Sequence, residues 1–461
     1  MARFRRNAAT LSVAMNTLNL TPKHPPWPSL WMGGYGWDPR GGDGTYARKL
    51  RAHCLVLGDS GSANVLLRID VVSIPRDVHR ELRRRVVEVE KLVADSDFLI
   101  ASSHTHSGPM IGSTHPHPNV LMNLQPADIT AVNQSTALFI DLMVDLVKRT
   151  VQAPKVPATL HYAEGSVRLG HNRTGVVDTV LPDVPVLLVR NATTTEPVAV
   201  LFGYACHPVC RGNDKIFDSD YVGVVIESIE RRLGLPALFF QGLAGDIDPD
   251  AGGPLVVGEK LADAIVDVLA ADRFTAVTGP ILTKLTEIQL PFAVDTGDAA
   301  VQADLKRKFE SRLDGHLGQA EVRHARLMLE QLRTGTVARS IPMPIQCWKF
   351  GGLTVLALSH EVLVGYQQLI KDIAVRLGIG KLWVMAYANE TQCYIPTDET
   401  AWQPGYESSW REGDRLVAGF GSSMLAYSWP APLRSSPVGT VPAAPGSAQA
   451  VVLAACEAIL R

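Results

Sequence analysis

Short apolar runs alternate with amphipathic stretches through most of this chain, and that alternation is what most limits the folds open to it. The runs at 63–70, 98–102, 184–190, 198–204, 237–240 and 353–358 are rich in the β-branched and aromatic residues that suit strands. Between and beyond them, 77–94, 135–151, 221–233, 257–271, 301–334 and 362–377 repeat apolar residues at helical spacing, with 301–334 the longest. Such a chain must stack its elements in layers. The expected class is α/β (mixed α+β): a single large layered domain with a central, mostly β core flanked by helices. The same pattern excludes a helical bundle and a pure sandwich. A length of 461 residues with 46% apolar content is enough for a sizeable core. The main domain is expected over 1–429, with a Pro/Ala/Gly-rich linker at 430–446 and a C-terminal helix at 447–461.

Charge and targeting signals narrow the classes of partner. A formal net charge of −2 offers no field for nucleic acid or an anionic membrane, and Arg83-Arg84-Arg85 reads as a solvated helix face. The basic start, Met1 to Arg6, is followed by a stretch too short and too polar for a signal peptide, and no apolar run is long enough for a transmembrane segment. A cytoplasmic protein acting on a small-molecule substrate is the expectation. The amphipathic 301–334 stretch is where a homo-oligomer interface would be sought, packing on its own domain being the alternative. Six scattered cysteines fit reduced thiols. Cys206 and Cys210 bracket His207 as a metal knuckle would, but with no second Cys/His pair nearby, packed cysteines are the better account.

The chemistry concentrates at strand ends, where layered sheets collect their sites. Ser103-His104-Thr105-His106-Ser107-Gly108-Pro109 closes the apolar run 98–102, and residues two apart at a strand end project to one side. His207 follows the run 198–204, Asp246 and Asp248 follow 237–240, and Glu361 follows 353–358. Singly, each has a bland reading as a loop histidine, an Asx turn or a helix cap. Together they offer His, His and Glu from distant parts of the chain, the ligand set of a catalytic zinc site with an open position.

Over residues 18–415 the chain resembles the neutral (non-lysosomal) ceramidases. The resemblance is carried by Leu18 to Pro22, Met32 to Gly36, Tyr46 to Ala52, the 103–109 motif, Cys206-His207-Pro208, Asp218 to Tyr221, Gly245 to Pro249, Tyr394 to Thr397 and Tyr406-Glu407, in that order. It implies a catalytic N-terminal domain in which His104, His207, Glu361 and Tyr394 hold Zn2+. It also implies that His106 lies just behind the metal ligands or beside the scissile bond as acid/base or electrostatic stabiliser, and that Tyr406 donates to the developing oxyanion. The implied activity is that of a zinc-dependent amidohydrolase, using metal-activated water on an amide carbon–nitrogen bond.

Departures from the family redirect the substrate. Where the family has Asn-Arg-Ser-Pro, with its proposed catalytic serine, this chain has Asn172-Arg173-Thr174-Gly175. Arg173 and Thr174 complete the candidate catalytic set, Thr174 as a hydrogen-bond donor or water-orienting group more readily than as a nucleophile. Asp248 stands where serine is common, and an Asx-type turn is the better account of it, with a strengthened hydrogen bond or another cation as the alternatives. About fifty residues follow Glu407, fewer than the family's additional β-sandwich domain needs. These features point away from ceramide and toward a small soluble N-acyl compound, with ester, lactone or carbohydrate-conjugate cleavage on the same site as the alternative. A binding protein that kept the fold without the chemistry is the second. Trp402, Tyr406 and Trp410 are candidate pocket walls, and His115 and His117 candidate entrance residues or a second metal pair.

Overall fold

The computed structural model describes residues 11–59, 61–112, 116–175, 178–403, 405–412, 415–418, 421–437, 439–440 and 442–461. A large sheet forms first. β1 (Leu11–Asn19), β2 (Arg51–Asp59) and β3 (Ser62–Ile69) run as an antiparallel meander, and β4 (Phe98–Ser102) joins β3 in parallel after α1 (Arg76–Arg83), which continues as a π-helical turn over Arg84–Val89. α2 (Pro126–Gln152) returns the chain to β5 (Val156–Ser166), antiparallel to β1. After β6 (Gly170–Asn172) come β7 (Asp183–Asn191), β8 (Pro197–Tyr204), α3 (Asp220–Leu233) and β9 (Ala237–Gln241), then β10 (Ile247–Pro249), α4 (Gly253–Ala271) and β11 (Thr275–Ala276). The strand order is β4-β3-β2-β1-β5-β7-β8-β9, with β11 paired to β5 and β10 paired separately to β6.

A second sheet follows, in the order β12 (Ile281–Pro291), β13 (Ser340–Phe350), β14 (Leu353–Leu358), β16 (Leu382–Met385). Between β12 and β13 lie α5 (Ala299–Ser311) and α6 (Gln319–Thr334); between β14 and β16 lie β15 (Glu361–Val362) and α7 (Tyr366–Arg376). β17 (Tyr394–Ile395) pairs in parallel with β15. α8 (Asp398–Ala401), the hairpin β18 (Ser409–Glu412) and β19 (Arg415–Ala418), α9 (Gly421–Ala426) and α10 (Ala448–Leu460) complete the chain. Among the described residues, no helix is long and apolar enough to cross a membrane.

Period-two alternation decides how these pieces stack. Cys54, Val56, Leu67, Ile69 and Ile100 face Val78 and Leu82 of α1 and Phe139, Met143 and Val147 of α2. Val186, Val200, Phe202 and Phe239 face Val225, Ile229, Leu261 and Ile265 of α3 and α4. The next residues along the same strands, Leu55, Leu57, Leu66, Leu99, Leu201 and Leu238, face the second sheet through Trp348, Phe350, Val355 and Trp383. That sheet's far side, with Met343, Ile345, Leu356 and Leu358, is covered by Ile370 and Ile373 of α7 and Val452, Cys456 and Ile459 of α10. The result is helix, sheet, sheet, helix. β3, β4, β8, β9 and β14 are buried on both faces along nearly their whole length, which explains runs that read as nearly continuous apolar segments.

Two sequence expectations are revised in detail. The 301–334 stretch is two helices, because Gly315 (φ 83°) and Gly318 (φ 129°) take conformations that stop α5 and restart the chain at α6. The longest helix is instead α2, with 27 residues.

The site is positioned by how the first sheet's edges approach. Residues after β16 lace edge strand β4 to edge strand β9: Ala386 N–H donates to Gln241 O (2.9 Å), Ser102 N–H to Tyr387 O (3.2 Å) and Asn389 N–H to Ile100 O (2.7 Å). The carboxyl ends of β4, β8 and β14 therefore converge. Four non-glycine residues in the converging segments take left-handed conformations: His104 (φ 64°), His360 (φ 73°), Tyr387 (φ 55°) and Asn389 (φ 62°). Backbone strain of roughly 1–3 kcal/mol per residue is thus gathered at one place, as at functional sites.

Candidate metal centre

His104 leaves β4 through its left-handed turn and is fully buried. Its Nδ1 lies 2.5 Å from Val72 O. A carbonyl only accepts, so Nδ1 carries the proton and Nε2 presents a lone pair. His207, just past β8, is built the same way: its N–H donates to Ile247 O, its Nδ1 lies 2.6 Å from Ala244 O, and its buried Nε2 makes no hydrogen bond. Burial and the charge of Arg173 lower the His207 pKa to about 4, Glu361 opposing, so the ring is neutral at pH 7.

Glu361 enters from the second sheet. β15 is held in parallel register with β17, and the Glu361 N–H donates to Cys393 O at 3.0 Å. Its Oε2 lies 3.1 Å from His104 Nε2 and 3.4 Å from His207 Nε2, all three side chains fully buried. The other oxygen, Oε1, accepts from Tyr427 Oη at 2.5 Å, and Tyr387 Oη lies 3.5 Å from Oε2. The Tyr387 ring leans over His104 at 4.3 Å.

His106 stands on the outer side, 7% exposed, with Nε2 at 3.1 Å from His104 Nε2 and its ring centroid 5.1 Å from that of Tyr35. The ligand-capable atoms of His104, His106 and His207 all lie within 4.8 Å of one another. Neither Cys206 nor Cys210 joins this group, and both thiols are raised by burial.

These residues fit a divalent ion. The Nε2 atoms of two histidines converge on one carboxylate oxygen, the donor types that a divalent cation takes. Both imidazoles are oriented by carbonyls on their Nδ1 side, the usual support of a ligating histidine. Separations of 3.1 and 3.4 Å approach the edge of a tetrahedral shell, about 3.3 Å for bonds near 2.05 Å.

Tyr394, on β17, is buried, with its Oη 3.4 Å from Arg173 Nη2. Burial and then Glu361 push its phenol well above the ordinary range, Arg173 opposing. Tyr406 is 42% exposed, its ring 5.6 Å from that of Tyr394 and 5.9 Å from the Arg173 guanidinium. The β6–β10 pairing brings the Asn172 segment to this corner. Arg173 donates to Glu407 Oε1 (2.5 Å), Asp248 Oδ1 (2.8 Å) and Gly245 O (3.0 Å). Burial alone would lower its pKa, but Glu407, Tyr394 and Asp248 raise it well above the ordinary value. The cation that Asp248 holds is therefore a guanidinium. Thr174 Oγ1 donates to Asn172 Oδ1 at 2.5 Å, and Asn172 Nδ2 donates to buried Asp246 at 2.8 Å. Arg173, Thr174, Gly405, Tyr406 and Glu407 line a cavity of about 290 Å³.

Other candidates do different work. His117 Nδ1 accepts from the N–H groups of Asn119 and Val120, a turn cap, with its pKa lowered to about 4 by burial. His115 lies outside the described residues, as does the side chain of Trp410. Trp402 donates through Nε1 to Ser436 O, away from the cavity lining. Tyr35, Tyr387 and Tyr427 are at the centre, and Arg40 lies behind it, without having been singled out. Tyr35 lay within a matched segment, but the lone aromatics and the arginine have no diagnostic spacing.

No family model matches this sequence, and no curated protein matches it. Solved structures match it in fold. One described as neutral ceramidase from Pseudomonas aeruginosa gives a TM-score of 0.70 at 17% identity, over 98% of this chain and 74% of that one. Another, described as ceramidase complexed with C2, gives 0.65 at 17% identity, over 87% and 71%. At this identity the likeness establishes the fold, a divergent form of the one those structures share.

Proposed function

We propose that this chain is a zinc-dependent hydrolase that cleaves an amide carbon–nitrogen bond of a small soluble N-acyl substrate. The observation that carries the reading is the convergence of two Nδ1-anchored imidazoles, His104 and His207, on Glu361 Oε2. His104, His207, Glu361 and Tyr394 would hold the ion. When bound, it supplies Lewis acidity toward a carbonyl oxygen and water of pKa about 7 as a source of nucleophile.

The remaining residues divide the other tasks. His106 lies beside His104, with 3.1 Å between their Nε2 atoms, so it can take a proton from the attacking water and return it to the leaving nitrogen. Tyr406, half exposed at the cavity, donates a hydrogen bond to the carbonyl oxygen as charge develops there. Arg173 keeps Tyr394, Glu407 and the Gly245 carbonyl in fixed relation, and Thr174 with Asn172 shapes the polar wall. A cavity of about 290 Å³ lined by Arg173, Thr174, Tyr406 and Glu407 favours a compact polar substrate over a long acyl chain.

Metal content by mass spectrometry, on protein purified without added metal, tests the proposal with an amide and ester panel. About one zinc per chain is expected in wild type, lost in folded His104→Ala and Glu361→Ala but kept in His106→Ala, which loses turnover. Folded wild type that neither contains nor takes up zinc overturns the reading. Activity on esters alone would move the scissile bond and keep the site.

A further inference from the structure

Arg40 is 1% exposed, yet none of its hydrogen-bond partners is a carboxylate. Its Nη2 donates to the carbonyls of Gly33 (2.7 Å) and His106, and its Nη1 to those of Asp214 (2.8 Å) and Gly212 (3.5 Å). Burial lowers its pKa, to about 10. Asp38 and Asp214 oppose the shift only through space, and desolvating a cation costs several kcal/mol, so a mere filler of this space would more cheaply be neutral. What a guanidinium adds is a planar fork that reaches several acceptors in fixed directions.

The acceptors belong to three segments. Gly33 lies in the 31–41 loop, which is zipped to the histidine motif by Gly33 N–H to Gly108 O (3.1 Å) and Met110 N–H to Trp31 O (2.8 Å). Gly212 and Asp214 lie downstream of His207, and the His106 N–H donates to Pro208 O at 3.3 Å. The third segment is the histidine motif, through the His106 carbonyl itself. The guanidinium also sits 4.6 Å from the Tyr35 ring, which in turn packs against the His106 imidazole. At Gly34 (φ 98°) a Cβ would come within 2.7 Å of His106 Cβ and Cγ, so the loop backbone lies directly on that side chain.

We propose that Arg40 is a positioning residue, clamping the loops that carry His106 and His207 so that the His106 imidazole is held at its place in the site; its catalytic consequence rests on the hydrolase reading above. Arg40 touches neither the acceptor cluster nor the cavity, and acts through the His106 backbone and Tyr35.

The test uses the full chain, metal-free, with 15N-labelled histidine, comparing wild type with Arg40→Gln and Arg40→Lys. In the Gln variant, the His106 ring resonances are expected to shift or broaden while those of His207 and of distant His324 stay in place. On the best amide substrate, kcat should fall roughly 10- to 100-fold with KM changed less than about twofold. His106 resonances unchanged in a folded variant overturn the proposal. So do resonances of all three histidines moving together, which would make Arg40 a general support of the fold. If the Gln variant does not fold, the Lys variant is read by the same criteria. Absence of hydrolysis in wild type would sink the proposed function and leave the resonance comparison to decide Arg40.

Discussion

Tyr427 donates its phenolic hydrogen to Glu361 Oε1 at 2.5 Å, in a site where both residues are buried. The bond occupies the carboxylate oxygen that faces away from the histidines and leaves Oε2 aimed at both of them. Burial and Glu361 hold the phenol protonated, well above its ordinary pKa, so it stays a donor. Tyr427→Phe removes the donor without changing shape. Expected is a roughly 10- to 100-fold loss of metal affinity in a folded protein, read by chelator competition. Affinity unchanged would mean that Glu361 is oriented by its strand pairing alone.

Arg173→Met strands two carboxylates, Glu407 almost wholly buried and Asp248 partly so. Removing one partner of a buried ion pair typically costs about 3 kcal/mol or more, because the other charge is left desolvated. Urea denaturation of the metal-free variant should show a loss of that order. A loss under about 1 kcal/mol would mean that solvent reaches Glu407 and that Arg173 is no anchor for this corner.

Much of this centre was legible because strand ends are legible. His104, His207 and Glu361 each stand a few residues beyond an apolar run, and those runs are apolar because β4, β8 and β14 are buried on both faces. Other strands hide. β12 reads Ile281-Leu-Thr-Lys-Leu-Thr-Glu-Ile-Gln-Leu-Pro291, with alternate residues exposed, and β13 carries Pro342 and Pro344, which ordinarily argue against a strand. What no local pattern encodes is the approach of β4 to β9 through residues 386–389, and that approach delivers Tyr387 to His104. Arg40 is hidden for a related reason. It lies in an irregular loop, so neither period nor spacing marks it, and its partners are backbone carbonyls that any residues could supply.

Thr174 stands where the resembling family has its proposed catalytic serine, and its hydroxyl hydrogen is committed to Asn172 Oδ1 at 2.5 Å. A hydroxyl used this way orients a wall rather than attacks a carbonyl. Thr174→Val keeps the volume and deletes the bond. Expected is a drop of about tenfold in kcat/KM, the value of one neutral hydrogen bond, against the thousandfold or greater loss that removal of a nucleophile brings. Steady-state kinetics on the amide substrate decides between them.

Asp246 gives the fold a pH dependence of definite sign. Burial raises its pKa from 3.8 to about 6, against hydrogen bonds from the Val364 N–H and Asn172 Nδ2. Between those values the folded protein keeps a proton that the unfolded chain has released, so stability falls as pH rises through that window and levels off above about 6. The contribution is about 3 kcal/mol across the window, at 1.36 kcal/mol per unit. Asp246→Asn cannot ionise and loses this slope. Its Oδ1 can still accept from Val364, but its amide meets the Asn172 amide, so the variant starts less stable at pH 4 and the gap to wild type narrows by pH 7. Urea denaturation of metal-free protein at intervals from pH 4 to 8 reads both curves. Parallel curves would place the titrating group elsewhere and return Asp246 to an ordinary ionised carboxylate.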